Sequence, residues 1–382
     1  MTDYYVAADA TGGGSGTSTG DPFDFSEMLG KMNVSSGGNT FHVKAGNYDV
    51  DSTYTMNVNG GNKVGAEIVG YKTTPGDLDS KISTGSAQIF GTDLPVFEIT
   101  NAANSFGIDG SFWSFRNLAF KSTVDQAAFY LRVYNSSLRN CHFLNTNGSG
   151  SSSYAVNADN QRNTLMGCSF RNTSSANVDF TAVFSSNNSF NSCYFEHANT
   201  SSGDGLMAFG GWGTVANCIF VGGVRGVYGY NSHTNTVYLN NTFYNQPTSG
   251  LQLRDNSGLA VINNIFHTCG TGIDVLGSSS AWNGLIVAME NNMYYNVTTP
   301  VSAYINTLIA ERDAITASSD PLTNAASGDF SLVDGADGIG AAFPYQMPHI
   351  ANRQYSDVGA LQKEAGAGGG FRRITLSGGF AG

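Results

Sequence analysis

A short pattern of alternating apolar and polar positions recurs along the middle of the chain. Its eight copies are RNLAF (116–120), RNCHF (139–143), MGCSF (166–170), NSCYF (191–195), ANCIF (216–220), NNTFY (240–244), INNIF (262–266) and ENNMY (290–294). Their closing aromatics follow one another at separations of 23, 27, 25, 25, 24, 22 and 28 residues. Such a regular spacing predicts a stack of similar units, each of which buries its apolar face against its neighbours.

The alternation within the repeat predicts a β-strand with one buried face. Side chains alternate faces along a strand, so the third and fifth positions point inward and the fourth points outward. The fourth position is Ala119, His142, Ser169, Tyr194, Ile219, Phe243, Ile265 and Met293. The second position is Asn117, Asn140, Gly167, Ser192, Asn217, Asn241, Asn263 and Asn291. Asn tolerates the left-handed backbone of a turn, and amides stacked at one turn predict an asparagine ladder.

The cysteines fit the same repeat. Four of them share its third position: Cys141, Cys168, Cys193 and Cys218. We interpret them as small apolar residues stacked in the interior, because parallel Cβ vectors on neighbouring strands disfavour a disulfide. Cys269 is left over and is assigned to a loop. Neither a CxxC pair nor a ligand spacing of histidines is present, so the sequence predicts no metal site and no cofactor.

A second strand can be traced in each repeat. It reads AFYLRVY (128–134), YAVNAD (154–159), TAVF (181–184), GLMAF (205–209), GVYGY (226–230), GLQLR (250–254) and GIDVL (272–276). Leu206, Val227, Leu251 and Ile273 are predicted to point inward, which leaves the alternate positions facing outward. Strands repeated in this way predict an all-β fold, a single-stranded parallel β-helix with coils of about 25 residues.

The N-terminal end carries a predicted cap helix over residues 22–32. Asp21 suits the N-cap, Pro22 the first helical position and Asp24 the capping-box position. Four apolar residues form one stripe at helical spacing: Phe25, Met28, Leu29 and Met32. Such a helix can cover the end of a stack, where an uncapped coil would expose core and strand edge. The predicted organisation is a strand and cap helix over 1–33, the β-helix over 34–300, a closing segment over 301–362 and a Gly-rich tail over 363–382.

Charge and hydropathy limit the classes of partner that the chain is expected to bind. The formal net charge is −11, which argues against nucleic acid as a partner because phosphate binding needs clustered Lys and Arg. No apolar stretch approaches the roughly 20 residues of a membrane span, so no membrane partner is predicted. The N-terminus shows no basic start followed by an apolar run, which favours a protein that no secretory signal exports.

Both ends of the chain resemble a known superfamily. The opening YYVAADATGGGSGTSTGDPF (4–23), the segment NTFHVKAGNYDV (39–50), and the closing SSDPLTNAASGDFSLVDGADGIGAA (318–342) and YSDVGALQ (355–362) are similar to pectate-lyase-like right-handed β-helix proteins. The resemblance implies a right-handed β-helix over roughly residues 4–362. It leaves the function open, because that fold hosts lyases, hydrolases, adhesins and phage tailspikes.

Candidate site residues lie on the outward face of the second strand. Aromatics beside polar and charged residues suit glycan binding or a subunit interface, and the set is Tyr130, Arg132, Tyr134, Phe209, Tyr228, Tyr230 and Gln252. A covering loop or scattered surface residues would account for the same pattern. The superfamily's lyases and hydrolases need clustered carboxylates, and no tight acidic cluster is apparent. The candidate catalytic residues, should the chain be such an enzyme, are Asp159, Arg254 and Asp274.

The tail after residue 362 suggests docking. It joins a Gly-rich linker to Phe371, Arg372, Arg373, Ile374 and Leu376. Together with the leaderless β-helix, this tail favours a bacteriophage virion surface protein, such as a tailspike, fibre or capsid-decorating homotrimer. Its expected partners are other virion proteins and a polysaccharide. The alternatives are an extracellular or phage-borne polysaccharide lyase or glycoside hydrolase, and a non-catalytic bacterial adhesin.

Overall fold

A computed structural model describes most of the chain. The described residues are 2–34, 38–57, 66–79, 93–147, 154–158, 162–174, 180–185, 187–201, 203–209, 213–230, 235–254, 258–276, 286–302, 310–342 and 357–361. The predicted docking tail, Phe371 to Leu376, lies outside them. No helix of the described residues is long and apolar enough to cross a membrane.

Three rows of parallel strands wind around one interior, one strand per coil more than the sequence analysis traced. Sheet A contains Asp3–Val6, Thr40–Lys44, Glu67–Tyr71, Ser114–Arg116, Ser137–Arg139, Thr164–Met166, Ser189–Asn191, Gly213–Ala216, Thr236–Leu239, Leu259–Ile262 and Ile286–Glu290. Sheet B contains Gly46–Asp49, Pro95–Ile99, Ala119–Ser122, His142–Asn145, Ser169–Asn172, Tyr194–His197, Ile219–Gly222, Met293–Tyr295 and Ile315–Thr316.

Sheet C is the third row and carries the predicted outward face. It contains Tyr54–Asn57, Phe106–Ser111, Phe129–Tyr134, Val156–Ala158, Phe180–Phe184, Asp204–Phe209, Arg225–Tyr230 and Thr299–Val301. Two long strands, Thr242–Arg254 and Ile265–Leu276, run on from sheet B into sheet C. The predicted fold class is confirmed: about eight turns of about 25 residues form a parallel β-helix with very little α-helix.

The closing aromatics of the repeat stack in the interior. Consecutive ring centroids from Phe120 to Tyr294 lie 4.8 to 5.4 Å apart, with interplanar angles of 3° to 14°. In the sixth repeat the stacked ring is Phe243 rather than Tyr244, because Phe243 pairs in register with Phe220 and Phe266. The sequence assignment of that repeat was therefore one residue out, and Phe243 points inward.

The second position of the repeat is a left-handed turn, as predicted. Its residues have φ between 53° and 61°: Asn117, Asn140, Gly167, Ser192, Asn217, Asn240, Asn263 and Asn291. The shifted register places Asn240, not Asn241, at this turn. Amide hydrogen bonds link some neighbouring coils, such as Asn140 Nδ2 to Asn117 Oδ1 at 2.8 Å.

The cap helix forms, but it spans Phe25–Val34 and begins three residues later than predicted. Asp24 accepts from the Glu27 backbone N–H at 2.7 Å, and Glu27 accepts from the Asp24 N–H at 2.9 Å, a reciprocal capping box. Asp21 instead accepts from the Ser15 backbone N–H and hydroxyl in the preceding turn. The predicted apolar stripe is correct, since Met28, Leu29 and Met32 are buried in the main core.

The fourth positions of the repeat are buried, although the strand alternation predicted them to face outward. Apart from Phe243 they lie on the outer side of sheet B, where other segments pack over them: Ala119 contacts Leu78, Leu94 and Val96, and the closing segment covers the last coils. Tyr194, Ile219, Ile265 and Met293 form a second apolar cluster with residues of that segment such as Phe330 and Val358. Cys269 is also buried, within the strand Ile265–Leu276 rather than in a loop.

Candidate functional site

Alternation along Phe129–Tyr134 builds the first part of the site. Phe129, Leu131 and Val133 are fully buried in the core. The intervening residues therefore face outward: Tyr130 is half-buried, while Arg132 and Tyr134 are exposed. No segment of the described chain covers Arg132 or Tyr134, so they are open to solvent.

A polar cleft of about 230 Å³ opens beside Tyr130 and Arg132. We call it the Tyr130 cleft, and its lining includes Thr55, Asn104, Ser105, Asp109, Gln126, Tyr130 and Arg132. The Tyr130 hydroxyl donates to Gln126 Oε1 at 2.9 Å, and Gln126 Nε2 donates to the carbonyl of Ala102 at 3.0 Å. These bonds fix the tyrosine ring at the wall of the cleft.

Charge is placed next to this ring. The Arg132 guanidinium carbon lies 5.6 Å from the centroid of the Tyr130 ring, at cation–π distance. Asp109 is paired in register with Arg132 on the neighbouring strand. Burial raises the pKa of Tyr130, so its hydroxyl stays protonated and able to donate. The cleft thus offers an aromatic surface, a cation, an anion and amides together.

A second polar group lies farther along the same face, on the strands that begin at Asp204 and Arg225. Arg225 Nε donates to Asp204 Oδ1 at 2.7 Å, and Arg225 Nη1 donates to Gln252 Oε1 at 2.6 Å. Gln252 Nε2 in turn donates to Asp274 Oδ2 at 2.6 Å. The Arg225 guanidinium carbon lies 4.0 Å from the centroid of the Tyr228 ring. We call these five residues the Arg225 network.

The network occupies the hydrogen-bonding groups that a ligand would need. Gln252 is on the outward face but only 4% exposed, because it is held between Arg225 and Asp274. Asp274 is half-buried, with one carboxylate oxygen already accepting from Gln252. The network therefore orients Tyr228 and links four coils, whereas the Tyr130 cleft is open.

Comparison with known proteins bears on the fold. A family model described as right handed beta helix region matches residues 131–293. Among solved structures, pectate lyase Pel9A aligns with a TM-score of 0.64 at 17% identity, over 94% of this chain and 96% of that one. The chain has the pectate-lyase-like right-handed parallel β-helix fold.

Other comparisons are weaker. The complex of XylC with xylose gives a TM-score of 0.47 at 9% identity, covering 84% of this chain and 87% of that one. The mannuronan C-5 epimerase AlgE6 A-module of Azotobacter vinelandii gives 0.44 at 12% identity, covering 77% of this chain and 93% of that one. Neither score supports an argument about function. No curated protein sequence matches this chain.

Within this β-helix the structure brings together only some of the predicted site residues. Tyr130, Arg132 and Tyr134 share one strand, and Tyr228, Gln252 and Asp274 share the Arg225 network. Phe209, Tyr230 and Arg254 lie on sheet C strands, but their side chains are outside the described residues, as is the whole of Asp159. The catalytic role of Asp159, Arg254 and Asp274 stays a prediction.

Sequence reasoning missed Asp109, Gln126, Asp204 and Arg225. Arg225 and Asp204 stand at the very start of their strands, just before the glycine at which each strand was taken to begin. Their opposite charges at equivalent positions of neighbouring coils were the available signal. Among the described residues, no group of three or more His, Cys, Asp or Glu is placed to hold a metal ion.

Proposed function

We propose that this β-helix binds a polysaccharide along the outer face of sheet C, with the Tyr130 cleft as its main contact. The observation that carries the proposal is the open cleft itself, in which an aromatic ring, a guanidinium, a carboxylate and amides converge. Sugar rings present apolar C–H faces and many hydroxyl groups. An aromatic ring with polar neighbours matches both features.

The geometry of the face suits a long, repeating ligand. Parallel strands follow one another at about 4.8 Å, a rise close to the length of one sugar residue. Tyr130 and Tyr228 lie four strands apart on sheet C, so about 19 Å separates them along the axis. A polysaccharide laid along the axis could therefore contact the Tyr130 cleft and the Tyr228 ring with different sugars of one chain.

The setting of this binding is also a proposal. We place the protein on the virion surface of a bacteriophage, as a homotrimer in which the tail after residue 362 contacts other virion proteins. The similarity to pectate lyase Pel9A shows the fold alone, and its name supports a carbohydrate ligand in general. A polysaccharide lyase or hydrolase is the alternative, and an extracellular location goes with it. The mass in solution tests the trimer, and a monomer would refute it.

Affinity measurements with a polysaccharide panel test the binding proposal. We expect Tyr130→Ala and Arg132→Ala each to weaken binding of the recognised polysaccharide at least about tenfold, because each removes a central contact. Arg139→Ala is the matched control: it removes an exposed arginine from sheet A, away from the cleft, and should leave affinity unchanged.

The same incubations separate binding from catalysis. Released reducing ends or unsaturated sugars would identify the lyase or hydrolase alternative, and binding without products would support a binding protein. Wild-type affinity in both Tyr130→Ala and Arg132→Ala would refute the Tyr130 cleft as the binding site.

A further inference from the structure

One turn of the β-helix repeats a left-handed residue between sheets C and A. The strand registers align the residues two positions before Ser114, Ser137, Thr164 and Ser189. Six described residues aligned in this way from Ser114 onward have positive φ, between 52° and 70°: Phe112, Asn135, Arg162, Asn187, Asn235 and Gly258. We call this set the corner column.

Two members of the corner column are residue types that rarely adopt a left-handed backbone. Asn and Gly adopt the left-handed conformation at little cost, and they occupy four of the six positions. Phe112 and Arg162 adopt the same conformation with bulky side chains, which is unfavourable. They stand on either side of Asn135 in three consecutive coils.

Both of these side chains are exposed. Phe112 is 59% exposed and Tyr134, the last residue of its neighbouring strand, is 46% exposed. The Phe112 N–H donates to the Tyr134 carbonyl at 3.0 Å, so both aromatics lie at the same corner. Among the described residues, no ion pair engages Arg162, which is exposed. An unfavourable backbone conformation at exposed residues marks positions that serve another purpose than packing.

A second cleft, of about 420 Å³, opens at this corner. We call it the corner cleft; it is lined by Phe112, Trp113, Ser114, Asn135, Ser136, Ser137, Arg162 and Thr164. An aromatic ring stands at one side, a guanidinium belongs to the other, and hydroxyl and amide groups lie between them. Tyr134 connects this corner to the strand that bears the Tyr130 cleft.

The charge of this part of the chain indicates what the corner cleft would bind. Residues 112–174 contain six basic and two acidic side chains, whereas the whole chain contains 18 basic and 29 acidic ones. Arg116, Lys121 and Arg171 form ion pairs with carboxylates outside this range. No ion pair of the described residues engages Arg162, so its guanidinium is available to an anionic ligand. Arginine pairs with a carboxylate through two parallel hydrogen bonds.

We propose that the corner cleft is a second saccharide subsite, in which Phe112 stacks on a sugar ring and Arg162 binds the carboxylate of an acidic sugar. This inference rests on the proposed function and narrows its ligand to carboxylated polysaccharides. Asn135 and the nearby hydroxyl groups would contact the remaining polar groups of that sugar.

The test replaces each unusual residue by the one that the column prefers. Phe112→Asn, Arg162→Asn and the charge-matched control Arg139→Asn are compared with wild type in the full chain. The probes are alginate and hyaluronan oligosaccharides, which carry carboxylates, and dextran oligosaccharides, which carry none. We expect both corner variants to bind at least one carboxylated probe at least tenfold more weakly than wild type and Arg139→Asn, with dextran binding unchanged by Arg162→Asn.

Thermal unfolding supplies a second readout. Because Asn suits the left-handed turn, Phe112→Asn should unfold at the same temperature as wild type or higher, so lost binding would not come from misfolding. A lower unfolding temperature in Phe112→Asn would show that the ring serves the fold and would overturn the proposal. Wild-type affinity for the carboxylated probes in both corner variants would overturn it too, as would a wild-type protein that binds neither carboxylated probe.

The two proposals fail differently. If Tyr130→Ala abolishes binding and the corner variants do not, the proposed function stands and the corner cleft is refuted. If the corner variants weaken binding and neither Tyr130→Ala nor Arg132→Ala does, the Tyr130 cleft is refuted and the corner cleft stands.

Discussion

Acid should destabilise this β-helix through one buried histidine. His142 is fully buried on the outer side of sheet B, where its Nδ1 lies 2.8 Å from Ser169 Oγ and its Nε2 has no hydrogen-bond partner among the described residues. Burial lowers the pKa of His142 from 6.5 to about 3. The unfolded chain therefore binds a proton at this residue near pH 6.5, whereas the folded chain does not until near pH 3.

The sign and size of the effect follow from that difference. Stability rises with pH wherever the unfolded state binds more protons. His142 therefore leaves the free energy of unfolding unchanged above about pH 7 and lowers it progressively as the pH falls from 6.5 towards 3. Each pKa unit corresponds to about 1.4 kcal/mol, so this residue should remove about 2 kcal/mol of unfolding free energy at pH 5 and about 4 kcal/mol at pH 3.

Guanidinium unfolding of wild type and His142→Gln at a series of pH values measures this effect. We expect the stability difference between the two proteins to shift in favour of His142→Gln by about 2 kcal/mol between pH 7.5 and pH 5. The control is the same comparison at pH 7.5 and above, where the difference in unfolding free energy between the two proteins should not depend on pH. Parallel pH profiles for the two proteins throughout the acid range would refute the reasoning.

Two further predictions concern the interior. Phe170→Ala should lower the free energy of unfolding by about 3 to 5 kcal/mol, because it leaves a cavity between the rings of Phe143 and Phe195, whose centroids lie 5.2 and 4.8 Å from that of Phe170. The control is Phe112→Ala, which removes an exposed ring. Equal unfolding temperatures for the two variants would contradict a stabilising role of the stack. All five cysteine thiols are buried, so a thiol reagent should label none of them in the native protein and all five in denaturant. Rapid labelling of the native protein would contradict this and show that the interior is open to solvent.

The coil repeat could be predicted because neighbouring strands stack identical positions. Cys141, Cys168, Cys193 and Cys218 fill one interior column, and the aromatics fill another. Local sequence is enough to reveal such columns, since each coil packs on the coil before it. The sixth repeat was misassigned because NNTFY offers two adjacent Asn and two adjacent aromatics, and only the strand pairing decides between them.

Burial on the outer side of sheet B could not be predicted from the repeat. Ile265 and Met293 are covered by Phe330, Val358 and other residues of the closing segment, which lie many residues later in the chain. Alternation shows which side of a strand a residue faces. It does not show whether another segment returns to cover that side.

The site was predicted where it depends on alternation and missed where it depends on backbone geometry. Tyr130, Arg132 and Tyr134 followed from the outward face of one strand. Phe112 and Arg162 were missed because a left-handed φ leaves no sign in a sequence when the residue is neither Asn nor Gly. Arg225 was missed because the sequence pattern predicts a strand that begins one residue later, at Gly226.

The most direct test of polysaccharide binding is a structure of the full chain with an oligosaccharide from the polysaccharide that it binds best. We predict sugar residues on the outer face of sheet C, with one ring against Tyr130 and its polar groups within hydrogen-bond distance of Arg132. An oligosaccharide bound only to sheet A or sheet B, with the Tyr130 cleft empty, would contradict the account.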